Sequence, residues 1–354
     1  MSSVACHHDA KRIRSLQRVA RGSPPPVRSN LIRFSVVILL LAAPLAAQAQ
    51  QAGKVYRVGW LSAGSSESNQ PADQAFLHGL SVRGWIEGQN VIVERRWANG
   101  RSERLPALAA ELVQRKVDVI VAVAEAAALA AKEATKNVPV VMLLVADPVG
   151  SKLVASLARP GGNVTGMTFT PTLELLGKRL ALLKEAIPHA SRVAILSNPA
   201  NPSHVRELRA AQAAAGPLGL RLHRLEARSP EEFDRVFAAM RRERADGLLI
   251  LVDSMFSIHR TRLAELAATY HLPTLYGIRE FVVAGGLMAY GVNIVDYVEG
   301  AAFYVDKILK GARPGDLPVQ QPTKIELVIN LKTARGLGLT MPPSLLLRAD
   351  RVIE

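Results

Sequence analysis

Only one cysteine occurs in the 354 residues, Cys6, and it lies in an N-terminal segment that reads as removable. Beyond residue 49 the chain has no thiol, which excludes disulfides, thiol catalysis and a cysteine metal site there. It also leaves no cysteine for lipid attachment near residue 49. Aromatic residues are scarce, at 5%. Histidine is sparse too. Of eight, His7 and His8 fall in the N-terminal segment, and the other six (His78, His189, His204, His223, His259, His271) show no metal-ligand spacing. Several catalytic signatures are missing. There is no Walker A, no G-x-S-x-G and no H-E-x-x-H. The glycine-rich run at 161–166 has asparagine where a dinucleotide fingerprint needs its second glycine, and a strand pattern follows it rather than a helix. No run after residue 49 reaches the ~20 apolar residues of a membrane span.

What the chain does have is charge and aliphatic bulk. The formal net charge is +14. Residues 1–49 carry seven Lys/Arg and one Asp. The remainder therefore holds 37 basic against 29 acidic residues, a net +8. The basic residues spread along helix faces, as in the stretch MRRERADG at 240–247, without interleaved aromatics. That patterning favours solvated helix faces over a nucleic-acid surface. Hydrophobic residues make up 49% and charged residues 21%, which suits a globular α/β protein of two ordinary domains.

The N-terminus has the layout of a secretory signal. Seven Lys/Arg between Lys11 and Arg33 precede a 14-residue, mostly apolar run at 34–47, and Ala47-Gln48-Ala49 forms an A-x-A site. Cleavage is expected after Ala49, giving an exported, periplasmic chain. The alternative is an N-terminal membrane anchor, for which the run is short.

Downstream, strand and helix patterns alternate at spacings of ~25–30 residues, in two successive arrays. The first, 54–168, has strands at 55–61, 90–97, 117–123 and 138–145. Helices are expected at 72–83, from a Ser102 cap, at 126–135 and at 152–157. The second, 171–284, has strands at 192–196, 220–225, 248–252 and 274–277, with a helix at 173–187 and a capping box at 229–232. Continuous apolar runs such as 117–123 are what buried parallel strands require. The pattern predicts doubly wound parallel sheets.

In such sheets ligands bind beyond the carboxyl ends of the strands, where helix N-termini offer free N–H groups and a positive dipole end. In the first array this singles out Ser62 and Ala63 in the loop 62–66, Ala124, Glu125 and Ala126, Asp147, and Thr168. In the second it singles out Asn198 and Asn201, Asp253, and Tyr276. Gly291, at the end of the strand pattern 287–290, completes the candidates. A ligand carboxylate would sit on backbone N–H groups near Ser62, Ala63 and Ala126. An ammonium would meet Asp147 or Asp253, and an apolar part would stack on Tyr276. Each has a plainer alternative. The 62–66 loop reads equally as a solvated turn, Asp147 as the cap of a helix opened by Pro148, Tyr276 as an interlobe tyrosine, and Arg279–Glu280 as a surface pair.

The last third departs from simple alternation. A strand at 274–277 is followed by strand 287–290, a helix opened by Asp296 and closed by Gly311, a polar crossing at 316–323 and a strand at 325–330. Here the chain is expected to leave the second array, add to the first, and return. That gives two lobes tied by several crossings. The expected divisions are 54–166 plus 286–316 for the first lobe and 167–285 plus 317–354 for the second.

The segments YGIREFVVAGGLMAYG (276–291), AAFYVDKILKGARPGDLPVQQPTKIELVINLKTARGLGL (301–339), PPSLLLRADRVIE (342–354) and ADPVGSKLVASLARPGGNVTGMT (146–168) resemble the tryptophan/tyrosine-type substrate-binding proteins of bacterial ABC importers. The resemblance runs from about Val55 to Glu354. It implies a type I periplasmic-binding-protein architecture: two Rossmann-like, doubly wound lobes joined by a multi-crossing hinge. It further implies a monomeric, cofactor-free protein that binds an amino acid or similar carboxylate and delivers it to a membrane permease with a separate ATPase. At Glu125 the chain departs from many relatives, which have a small polar residue there, often Thr followed by Pro. A carboxylate at that helix N-terminus would repel a ligand carboxylate, so Glu125 is expected either to point away or to receive a cationic part of the ligand. The rival readings are a ligand-sensing module for a membrane receptor and an exported α/β hydrolase.

Overall fold

Each array folds into its own sheet in the computed structural model, which describes residues 54–169 and 174–354. The expected signal segment lies outside the described residues. In the first array, β1 (Tyr56–Ser62), β2 (Val91–Trp97), β3 (Val119–Val123), β4 (Val140–Val145) and β5 (Val164–Thr168) form a five-stranded parallel sheet in the order β2-β1-β3-β4-β5. Helices α1 (Ser66–Ser81), α2 (Leu105–Gln114) and α3 (Glu125–Ala134) cross between these strands. Every residue of β3 is buried, as its unbroken apolar run requires.

The second array begins with α4 (Glu174–Ala186), β6 (Arg192–Ser197), α5 (His204–Ala215), β7 (Arg221–Glu226) and α6 (Phe233–Arg242). It continues through β8 (Gly247–Ile250), α7 (Ser254–Ile258), α8 (Arg260–Thr269), β9 (Thr274–Tyr276), α9 (Glu280–Val283) and β10 (Met288–Gly291). After α10 (Ile294–Leu309), it is completed by β11 (Glu326–Asn330), α11 (Leu331–Gly336), α12 (Pro343–Arg348) and β12 (Arg351–Ile353). The seven strands run in the order β12-β11-β10-β9-β8-β6-β7, parallel except for the antiparallel β10–β11 pair. On α6, Phe233, Val236, Phe237 and Met240 are all buried, as their helical spacing predicts.

The tail divides differently from the expectation. β10 belongs to the second sheet, not the first, and β5 extends the first sheet past residue 166. α10 returns to the first lobe, and the chain stays with that lobe as far as Gln320, with Val319 in its core. There Tyr297, Val298, Ala301 and Val305 share a core with Trp60 and Phe76. Gly79 lets the two helices approach, since a Cβ on it would stand 2.7 Å from the Glu299 carbonyl oxygen. The polar crossing then runs along β5. Thr168 N–H donates to Gln320 O at 2.9 Å and Gln320 N–H to Gly166 O at 3.0 Å. The chain thus passes between lobes after Phe169, at Val292-Asn293 and beyond Gln320. The run 287–290 announces a buried strand, but an apolar run carries no label for its sheet.

Smaller expectations also give way. The stretch 152–157 is a set of turns rather than a helix, so Asp147 caps nothing; its Oδ1 closes a turn by accepting from Gly150 N–H at 2.8 Å. Neither Ser102 nor Ser229 bonds a helix N–H; Ser102 is the first residue of one 3-10 turn and Ser229 precedes another.

Candidate functional site

The carboxyl ends of β1, β3 and β4 face those of β6, β8 and β9 across a cleft. Its first-lobe wall is made by Gly64, by Ser68, Asn69 and Ala72 of α1, and by Val123–Glu125, Leu144 and Ala146. The second lobe supplies Asn201, Ser203, Glu207, Asp253, Ser257, Arg260, Ile278 and Glu280. Phe169 and the first turn of α10, with Ile294, Val295 and Val298, close the back where the chain crosses. The cavity measures about 120 Å³. At 10–15 Å³ per water-sized occupant, that holds on the order of ten non-hydrogen atoms. Its wall is two-natured: Leu144, Phe169, Ile278, Ile294 and Val298 are apolar, whereas Asn69, Ser203, Glu207, Arg260 and Glu280 are polar or charged.

Local chemistry fixes these walls. Ser65 caps α1 in a reciprocal box: its Oγ accepts from Ser68 N–H at 3.2 Å, and Ser68 Oγ accepts from Ser65 N–H at 3.0 Å. On the facing side Asp253 caps α7. Its Oδ1 accepts from Met255 N–H and from Asn198 Nδ2, and its Oδ2 from Asn201 Nδ2 at 3.0 Å. Deeper in the second lobe, Arg179 is buried under the strand ends. It donates through Nε to Tyr290 O at 2.8 Å. Burial lowers its pKa to about 10.

The expected site residues divide into three groups. Ala124, Glu125, Asn201 and Asp253 line the cleft. Ala63, Ala126 and Asn198 border a small adjoining pocket instead. Ser62, Asp147, Thr168, Tyr276 and Gly291 line neither. Ser62 is buried, with its Oγ accepting from Gly64 N–H at 3.0 Å, so it shapes the loop. Thr168 pairs with the crossing segment. Tyr276 is a core residue stacked on Phe281 with ring centroids 4.6 Å apart, and it cannot reach a ligand. Its phenol is pushed upward by burial. Gly291 allows two strand ends to touch, since a Cβ there would stand 1.8 Å from Gly277 O. Asp253 already accepts bonds on both oxygens, from Asn198, Met255 and Phe256 on Oδ1 and from Asn201 on Oδ2, which fixes its carboxylate at the cleft wall.

Glu125 lines the cleft rather than pointing away, and the cation it meets in this structure is the protein's own. Its carboxylate is buried at the start of α3 and meets Arg206 of α5, from the opposite lobe. Arg206 Nη2 donates to Oε1 at 2.5 Å and to Oε2 at 2.6 Å. Arg206 Nε also lies 3.5 Å from Asp147 Oδ2. Burial pushes the Glu125 carboxyl above its ordinary range, and the Arg206 bonds offset only part of that shift. Ala124, which precedes it, has φ 78 and ψ 158, a region essentially reserved for glycine.

Sequence reasoning missed Ser68, Asn69, Arg206, Glu207 and Arg260. Ser203 and Glu207 are spaced i, i+4 and hydrogen-bond at 2.9 Å, a usable helical signal. Ser68 and Asn69 follow directly from the first loop once its helix is allowed to start at Ser66.

Two parallel α/β lobes, three crossings and a solute-sized cleft at the strands' carboxyl ends define a protein of the type I periplasmic-binding-protein architecture. The chain belongs to the ABC transporter substrate binding protein family, whose model matches residues 63–353. It is 25% identical over 268 residues to a tyrosine-binding protein of Clostridioides difficile (strain R20291), covering 76% of each chain. A solved conserved domain protein from Vibrio cholerae is 28% identical with a TM-score of 0.80, covering 84% of this chain and 100% of that one. A Streptococcus pneumonia ABC domain in complex with L-Trp is 26% identical with a TM-score of 0.78, covering 84% and 99%. The family is one of binding proteins rather than enzymes, which sets aside the hydrolase reading. No helix among the described residues is long and apolar enough to cross a membrane.

Proposed function

We propose that this chain is the exported, monomeric solute-binding component of an ABC importer, and that its cleft takes an amino acid with a large apolar or aromatic side chain. The observation that carries the reading is the two-natured wall of the cleft. Glu207, Arg260 and Glu280 line the same cleft as the apolar Leu144, Phe169, Ile278, Ile294 and Val298. In this reading Glu207 and Glu280 receive the ammonium. Arg260 and the polar first turn of α1 receive the carboxylate, and the apolar wall takes the side chain. The L-Trp complex and the tyrosine-binding relative support the choice of solute class. The loaded protein delivers its solute to a membrane permease coupled to a separate ATPase, and the A-x-A site places export cleavage after Ala49.

The test is a thermal-shift screen against the amino acids and other small carboxylates, followed by calorimetry on each hit. A solute at ~100 times its Kd stabilises the fold by ~2.7 kcal/mol, a shift seen without difficulty. Tryptophan, tyrosine or phenylalanine is expected to give the largest shift. A panel in which no amino acid shifts the transition overturns the solute class. N-terminal sequencing of the exported protein is expected to begin at Gln50.

A further inference from the structure

We propose that Arg206 is an interlobe clasp: the cleft closes when this one guanidinium, carried by the second lobe, finds the Glu125 and Asp147 carboxylates of the first. The two lobes contribute opposite charges at one edge of the cleft mouth, with Nη2 on both oxygens of Glu125 and Nε 3.5 Å from Asp147. Both carboxylates are held in place before the arginine arrives. Asp147 is tied to Gly150 N–H at 2.8 Å, and a Cβ on Gly150 would meet its Oδ2 at 2.0 Å. Glu125 follows the strained Ala124, whose positive φ turns the chain into the first residue of α3. The lobes also meet beside the clasp, where a Cβ on Gly100 of the first lobe would be in ordinary contact with Ile258 Cδ1 of the second, at 3.5 Å.

The energetics say what such a clasp does. An ion pair buried in this way adds little net stability, because desolvation offsets its attraction; removing one partner is far more costly, since the other is left buried and unpaired. Geometry is therefore what the pair enforces. With Arg206 gone, closing the cleft buries Glu125 without a counter-ion, so the open form gains. A planar fork is suited to spanning two carboxylates, whereas a lysine offers a single point of charge. The clasp does not depend on the proposed solute, because the binding mode proposed above uses none of its three groups.

The experiment is small-angle X-ray scattering of the ligand-free protein, produced from the full chain, for wild type, Arg206→Ala and Arg206→Lys. Thermal unfolding serves as the folding control. The expected result is a larger radius of gyration for Arg206→Ala than for wild type, with Arg206→Lys displaced in the same direction, while unfolding stays cooperative. Should the alanine variant fail to fold, the lysine variant still decides. If both variants scatter as wild type does, the clasp is overturned. Calorimetry with L-tryptophan as probe adds a second reading. A closed population reduced to roughly a tenth weakens apparent binding about tenfold. Loss of tryptophan binding at unchanged radius would make Arg206 a ligand contact and overturn the clasp. If wild type itself does not bind tryptophan, the proposed solute class suffers, and the scattering comparison still settles the clasp.

Discussion

At the scale of single residues, two backbone positions make opposite predictions. A Cβ on Gly291 would stand 1.8 Å from Gly277 O and 3.4 Å from Arg179 Nη2, and neither neighbour is free to move. Gly277 O is backbone, and Arg179 is fully buried beneath it. Gly291→Ala must therefore part the ends of β9 and β10, at a cost of about 4 kcal/mol or more. Calorimetric unfolding is expected to show a large drop in Tm, and a wild-type Tm would mean the strand ends have slack. Ala124 is the reverse case. Its φ of 78 and ψ of 158 hold about 1–3 kcal/mol of strain that glycine would not feel. Glycine loses roughly 0.5–1 kcal/mol to extra unfolded-state freedom. Ala124→Gly is thus expected to stabilise the fold by about 1 kcal/mol in urea unfolding, and a loss would show that the strain is relieved elsewhere.

Among elements, α10 has the widest reach, because its core face lies in the first lobe and its first turn lines the cleft. The sequence suggests Asp296 as its opening residue, but Asn293 caps it, with Oδ1 accepting from Val295 N–H at 3.1 Å. Asn293→Ala is expected to cost about 1 kcal/mol of stability. It should also reduce the thermal shift given by ligand, since Ile294, Val295 and Val298 depend on that turn; an unchanged shift would detach the turn from binding. The same helix shows where element reading succeeds. Its apolar positions repeat at helical spacing, as do those of α6, and the runs in β3 and β4 declare buried strands. These signals are local, a matter of period and length. The sheet to which β10 belongs is not local. It depends on Gly277 and Gly291 allowing β9 and β10 to touch, and on β11 pairing antiparallel outside them.

For the whole molecule, the ring of loops at the strands' carboxyl ends was legible, because topology alone puts them there. The side chains that matter within it were less so. Tyr276 has the chemistry of a stacking platform, yet three buried residues in a row commit β9 to the core. Arg206 is one of two arginines on α5, and only the meeting of two lobes gives it a role. That meeting sets the last prediction. Burial holds the Glu125 carboxyl above its ordinary range in the folded chain, against the pull of Arg206. With a folded pKa raised above the unfolded one, the folded state holds the extra proton between the two values. The stabilising contribution of Glu125 is then complete below its unfolded pKa and is lost as pH rises through its folded pKa. Glu125→Gln stays neutral throughout and has no such slope. The stability of Glu125→Gln relative to wild type should therefore grow with pH from the ordinary carboxylate range upward, and level off above the folded pKa. Urea unfolding of both proteins across about pH 4 to 8 measures the difference. Growth with pH fits a clasp that specifies the closed geometry while adding no stability of its own. A difference that shrinks with pH would mean that Arg206 more than offsets the burial of Glu125, making the pair a net source of stability.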